Sequence, residues 1–271
     1  MGNEIMAAET WSYIGVDRDG SNWIAVDYSE QGPIEAIVYD TIDQLWAVHG
    51  DIADRIVVNV PIGLCSSLDD PEPCGKITDG ELSRHCDDIA RTVIGSRFSS
   101  VFTAPCRMAV ELAADGAPYS EVNEMNRDHT GKGLMQQAAN IAPCIVEVDE
   151  LLRDDGDPEV LLEGHPEVCL RAFGDSDLGH SKKTAPGVDE RLSLLESMGE
   201  YERGTWRRLA RELADEGHST GLDDLLDALA LAMTAGASSD ELQTLPADLP
   251  EDDEGLPMQM VYRRDEPFEI D

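Results

Sequence analysis

Three aspartates interrupt an otherwise apolar stretch, Asp223, Asp224 and Asp227 in "GLDDLLDALALA", residues 221–232. The stretch reads as a helix, and acids three or four residues apart on a helix share a face and repel. Pressed against an apolar core they also lose hydration. A bound cation offsets both costs. Hard divalent ions want oxygen ligands, and Mg²⁺ typically takes one or two carboxylates plus waters and substrate phosphate. Two further acids close candidate strands: Asp17 ends "SYIGVD", and Glu163 ends the strand before Gly164-His165-Pro166. Asp17, Glu163, Asp224 and Asp227 are therefore the expected catalytic and metal-holding set, for Mg or Mn. Two such ions, about 3.5–4 Å apart, activate water and stabilise the leaving oxygen in phosphodiester cleavage. Asp223 is assigned instead to the helix N-cap. The competing reading makes Asp17 a turn residue and Glu163 an ordinary surface acid.

The basic residues are few, which gives each more weight. Lys132 in "TGKG" and Lys182-Lys183 in "HSKKT" sit in polar, glycine-flanked stretches, and Arg97 and Arg107 flank "FSSVFTAPC". These five are candidates for contact with substrate phosphate; the alternative for each is a solvated charge or a salt bridge. His165, beside Glu163, is a candidate general base, or else the cap of a strand end.

Elements that would position these residues follow from the pattern. Three short β-rich runs, 12–17, 22–28 and 33–40, are separated by tight turns and predict an antiparallel meander. Thr41 caps a helix over 41–50. "RIVVNVPIGL", 55–64, reads as a buried strand stopped by Pro61. Residues 65–143 read as a long, mostly helical insertion. "CIVEVDELL", 144–152, reads as strand then helix, and 158–168 begins as a strand. Amphipathic helices follow at 187–199 and 202–217, then the acid-bearing helix. An acidic, Pro-rich tail from about 244 to 271 carries one short strand candidate, "PMQMVYR". The expected fold is a single α/β domain over 1–271, a mixed sheet with its first three strands antiparallel, flanked by helices.

Composition narrows the setting. The 271 residues include 56 acidic and 20 basic ones, for a formal charge of −36, and only four lysines. With 41% apolar residues the chain has the means for a core, so disorder does not explain the acidity. The charge and the scarcity of lysine point to a folded protein from a high-salt cytoplasm, where a Debye length of about 3 Å at molar salt screens the acids from one another. The charge argues against nucleic-acid binding driven mainly by a broad basic patch, although it does not exclude nucleic acid as a substrate. The N-terminal "MGNEIMAAETW" lacks an apolar export segment, and no run approaches the ~20 apolar residues of a membrane span. A cytoplasmic location is expected, with no membrane partner. The six cysteines form no CxxC pair and are expected to be free thiols; a zinc site from Cys65, Cys74, His85 and Cys86 has poor spacing.

The residues also resemble known families. "DLLDALALA" (224–232) is similar to the last helix of ribonuclease H-like nucleases, Holliday-junction resolvases among them, and "YIGVDRDGSNWIAVDY" to their first hairpin, with Asp17 at the metal-binding aspartate. Across most of the chain the resemblance is to the predicted-nuclease family called domain of unknown function 429. It is carried by "VPIGL" (60–64), "RHCDDIARTVIGSRFSSVFTAPCR" (84–107), "TGKGLMQQAANIAPCIVEVD" (130–149), "EGHPEVCL" (163–170), "SKKTAPGVDERLSLL" (181–195) and "DDLLDALALAMTA" (223–235). The resemblance implies a ribonuclease H-like fold and a metal-dependent nuclease acting on DNA or RNA. It also implies a second metal ligand from the fourth strand, the aspartate of D-x-P-x-G-L. Here that position is Asn59, an amide that can offer an oxygen but no charge; Glu163 is expected to compensate. Asn59 equally motivates a second reading, a ribonuclease H-like binding or scaffold protein without catalysis. A third, a sugar-kinase-like phosphotransferase, would need a second glycine-rich half that the chain lacks.

Overall fold

A computed structural model describes residues 12–29, 31–69, 74, 77–78, 80–202 and 204–270. The N-terminal stretch read as lacking an export segment lies, up to Trp11, outside the described residues. The chain runs through β1 (Tyr13–Asp19), β2 (Asn22–Ser29), β3 (Gly32–Tyr39), α1 (Ile42–His49) and β4 (Arg55–Val58). A small hairpin, β5 (Ile77–Thr78) and β6 (Glu81–Leu82), precedes α2 (His85–Val93), a 3₁₀ turn (Gly95–Ser100), α3 (Arg107–Ala114), α4 (Tyr119–Thr130), α5 (Gln136–Asn140) and α6 (Ala142–Asp154). Then come β7 (Leu161–Glu163), α7 (Pro166–Phe173), α8 (Ala185–Ser197), α9 (Thr205–Asp215), α10 (Leu222–Ala235), β8 (Leu242–Leu245) and β9 (Met260–Arg263).

Five strands form a mixed sheet in the order β3-β2-β1-β4-β7. The first three are antiparallel, as expected, and β4 and β7 add in parallel. The β1–β2 turn is two residues long, and Gly20 takes the left-handed φ of +67° that suits such a hairpin. Helices cover both faces. On one, Ile14, Val16, Val58 and Leu161 pack with Leu45 of α1 and Ile145 and Val148 of α6. On the other, Ile24, Val26 and Val57 pack with α10, Leu209 of α9 and Leu195 of α8. Central strands sandwiched in this way are apolar on both sides, which accounts for the unbroken runs in β1 and β4.

The close approach of α10 to the sheet is set by Gly15. A Cβ there would lie 2.0 Å from the Ala232 backbone nitrogen and 2.2 Å from the Ala228 carbonyl oxygen. Glycine facing alanine lets the helix backbone rest on β1. From Leu225 to Ala235 every residue of α10 is buried, as a helix apolar on all sides should be.

Three sequence expectations change. Residues 144–152 are helix throughout, inside α6. Pro143 lies in its first turn, and Ile145, Val148, Leu151 and Leu152 follow the helical repeat; the β-branched run misled where the period did not. The fourth strand stops at Val58 rather than Leu64. Asn59 still donates its backbone N–H to Val16, but the Ile62 and Gly63 carbonyls turn to Arg84. Cys65 and Cys74 are joined in a disulfide, so four cysteines rather than six are free among the described residues. That bond also dissolves the zinc set drawn from Cys65, Cys74, His85 and Cys86. The C-terminal stretch is packed into the fold: β9 pairs with β8, Val261 bridges Gly164 beside β7, and Leu256, Met258 and Tyr262 are buried. No described helix is long and apolar enough to cross a membrane.

Candidate metal centre

Strand alternation puts Asp17 on the face of β1 that carries Gly15. Where Gly15 meets Ala228 and Ala232, Asp17 lies two residues along; on α10, Asp224 lies about one helical turn before Ala228 and Asp227 directly precedes it. Two strand residues and one helical turn advance by similar lengths, ~6.7 and ~5.4 Å. The glycine contact thus brings strand and helix acids to one place.

They line a cleft of about 430 Å³ together with Arg18, Asn59, Arg97, His165, Glu167, Lys182 and Lys183. At its floor Lys182 is the centre of charge. Its Nζ lies 2.5 Å from Asp227 Oδ2 and 3.9 Å from both Asp224 Oδ1 and Asp223 Oδ2. Asn59 donates from Nδ2 to Asp17 Oδ1 at 2.8 Å. Asp17 and Asp227 are almost fully buried, while Asp224 is half-buried.

Burial and crowding leave their mark on acidity. Burial pushes the Asp17 carboxyl up from its usual range, opposed by Lys182 and by the Asn59 hydrogen bond. Asp227 is raised to about 8 by burial and by the Asp17 charge, against the pull of Lys182. Asp224 is raised to about 6 by burial, then by Asp17 and Asp223. Burial works against the charge on Lys182, but Asp227 and Asp17 outweigh it and hold the ammonium form. One lysine therefore faces more negative charge than it neutralises.

The donor set is all oxygen, which suits Mg²⁺ or Mn²⁺. Among the described residues no three His, Cys, Asp or Glu side chains converge on one point as a ready-made cage; the acids surround the Lys182 ammonium instead. A hard cation that keeps most of its waters needs only one or two of these carboxylates, so Asp17, Asp224 and Asp227 fit it once the lysine gives way.

Other expected site residues lie elsewhere or do other work. Glu163 is absent from the cluster. Arg84 grips both its oxygens, at 2.8 and 2.7 Å, and the Ile62 N–H donates to Oε2 at 2.7 Å. Arg84 also binds Asp87, so the three side chains form a buried ionic knot under the loop after β4. Glu163 therefore does not make up for Asn59. Arg107 is a structural cation, bonded to Asp149 and Asp252. Lys132 is on the insertion, 3.6 Å from Glu81. Neither lines the cleft. Arg97, Lys182 and Lys183 do. His165 lines it too, but as the N-cap of α7: Nδ1 accepts from the Glu167 N–H at 3.2 Å, and Nε2 lies 3.3 Å from the Ser100 carbonyl oxygen. Burial lowers its pKa. Asp223 is not the N-cap of α10; Gly221 is, and Asp223 and Asp224 occupy the first turn, where the helix dipole favours acids.

Two charged cleft residues escaped the sequence reading. Arg18 was hidden inside a strand signal. Glu167 was hidden in a helix start, although the His-Pro-Glu run, with proline at the first helical position, marks a first-turn acid.

No curated protein and no solved structure matches the chain. The family model described as "Protein of unknown function (DUF429)" matches residues 15–251, which take in Asp17, Asn59, Lys182, Asp224 and Asp227, and the chain belongs to that family.

Proposed function

We propose that the protein is a metal-dependent nuclease of ribonuclease H-like build, hydrolysing phosphodiester bonds in DNA or RNA within a salt-rich cytoplasm. The observation that carries this reading is the gathering of Asp17, Asp224 and Asp227 around one cation at the floor of an open cleft. Buried acids in such excess over their counter-charge cost stability, and a divalent ion relieves it. Asp17, Asp224 and Asp227 would hold Mg²⁺ or Mn²⁺, with Asn59 fixing the Asp17 carboxylate through its hydrogen bond. An ion held there would supply a water of lowered pKa and stabilisation of the leaving oxygen. Lys183 and Arg97, with Arg18, supply positive charge along the cleft for substrate phosphates.

A non-catalytic binding protein is the second reading. It is favoured by Asn59 in place of a charged ligand and by Lys182, which already satisfies Asp227. Manganese titration in multi-molar KCl separates the two, followed by a cleavage screen with single- and double-stranded DNA and RNA. The nuclease reading expects saturable Mn²⁺ binding and Mn²⁺-dependent cleavage, both lost in Asp17→Asn and Asp227→Asn while the circular dichroism is retained. Binding or cleavage that persists unchanged in both variants removes the acidic cluster from the chemistry.

A further inference from the structure

Among the described residues, Glu167 carries the one buried carboxylate oxygen without a hydrogen-bond partner. The side chain is 7% exposed, and it lines the same cleft as Asp17, Asp224 and Asp227. Its Oε1 accepts from Arg191 Nη2 at 2.5 Å and from Arg97 Nη2 at 3.4 Å; its Oε2 accepts from nothing. A buried acceptor left unsatisfied keeps its desolvation cost uncompensated, the more so when charged. Comparable acids avoid this: both oxygens of Glu163 are bonded, and Asp149 and Asp252 share Arg107.

The pairing with Arg191 makes the free oxygen more telling. Arginine and carboxylate commonly meet through two parallel hydrogen bonds. Here the Arg191 Nε is also buried without a partner, and Nη1 is given to the carbonyls of His180 and Gly187. A two-pronged contact would satisfy both Arg191 Nε and Glu167 Oε2, yet the carboxylate is turned out of it. Arg191 holds one oxygen and leaves the other for a different partner. The His165 cap fixes the turn of α7 from which Glu167 projects, and α7 packs directly on α10. The charge of Glu167 is felt at Asp227, where it adds to the forces raising that carboxyl's pKa.

We propose that Glu167 is a further metal ligand of this cleft, offering Oε2 to a hard divalent cation and replacing the acidic contribution that neither Asn59 nor Glu163 makes. This rests on the metal-dependent reading above and extends the ligand set from β1 and α10 to α7.

Manganese binding measured by electron paramagnetic resonance and calorimetry in multi-molar KCl tests it, on the full chain. The wild type is compared with Glu167→Gln, Glu167→Asp and Asp17→Asn. Glutamine keeps the acceptor toward Arg191 but removes the charge; aspartate keeps the charge but withdraws the oxygen by one methylene. Expected is a loss of one bound ion, or at least a tenfold weaker Mn²⁺ Kd, in Glu167→Gln, and a clear weakening in Glu167→Asp, with the melting transition still cooperative. A purely structural partner of Arg191 would leave Mn²⁺ stoichiometry and Kd unchanged, and that result overturns the inference. Should Glu167→Gln fail to fold, the aspartate variant decides by the same criterion. Loss of metal in Asp17→Asn with wild-type binding in both Glu167 variants defeats only the role of Glu167. No saturable binding in the wild type defeats the metal-dependent reading itself.

Discussion

Lys182 makes the acidic cluster tenable without a metal. It meets Asp227 at 2.5 Å but stands 3.9 Å from Asp224, whose carboxyl remains raised to about 6 by burial and by its neighbours Asp17 and Asp223. A folded-state pKa above the ordinary aspartate value of 3.8 means that ionised Asp224 opposes folding. The cost is fully present above pH 6 and fades as pH falls from 6 toward 3.8. Asp224→Asn is therefore expected to stabilise the metal-free protein at pH 7.5. Solvent on the exposed side of Asp224 screens the effect, leaving about 1 kcal/mol. Urea unfolding with chelator at pH 7.5 and 4.5 checks this: the variant should exceed the wild type at the higher pH and match it at the lower. Equal stability at pH 7.5 would mean that Lys182 neutralises Asp224 fully. The residues of this cluster were legible in the sequence because three acids in an apolar helix are costly without a cation. Glu163 was misplaced for a physical reason: an acid at a strand end looks the same whether it faces a cleft or an arginine 79 positions away in the chain, as Arg84 is. Glu167 was missed because a first-turn acid usually needs no explanation beyond the helix dipole.

The contact of β1 with α10 converts these residues into a site. Gly15 and Ala228 are small because two backbones meet there, and the acids stand one step beyond on each element. Gly15→Ala would drive a Cβ to 2.0 Å from backbone atoms that cannot swing aside. Overpacking of this kind costs about 1–3 kcal/mol or more. Because the sheet and α10 must separate, it should also weaken Mn²⁺ binding without touching a ligand. A melting temperature several degrees lower together with weaker Mn²⁺ binding is the expected result; an unchanged melting temperature would show that α10 has slack over β1. Strong local signals made most elements readable: the short β-rich runs of β1–β3, the Thr41 cap that does bond the Gln44 N–H, the amphipathic α9 and the apolar run of α10. The start of α6 was not, since Ile145, Val146 and Val148 are β-branched; the helical spacing of Ile145, Val148, Leu151 and Leu152 and the packing against α3 and α1 outweigh that signal. The Cys65–Cys74 bond was likewise invisible, because the sequence does not say which cysteines a loop brings within reach.

Charge acts on the molecule as a whole. A formal −36 over 271 residues places acids too densely for all to be paired, and three of the few cations are spent in the interior. Arg84 and Arg191 are essentially unexposed and Arg107 is buried, each neutralising acids of the interior. The surface is left to acids that repel one another across a low-salt solvent. At 0.1 M ionic strength the screening length is ~10 Å, longer than the spacing of neighbouring surface charges, and at 1 M it is ~3 Å, shorter than most of them. The melting temperature should therefore rise steeply from 0.1 to about 1 M KCl and more gently above that, as the remaining gain comes from solvent exclusion rather than screening. Tetramethylammonium chloride, with a bulky, weakly binding cation, separates the causes. If screening dominates, the two salts act alike up to about 1 M. If potassium binds specifically among the carboxylates, only KCl stabilises. A melting temperature flat in both would mean that surface repulsion does not limit this fold, and the acidity would then need a reason other than salt. The same titration sets the conditions for every metal measurement above, because unscreened surface acids collect divalent ions loosely and would mask the saturable site in the cleft.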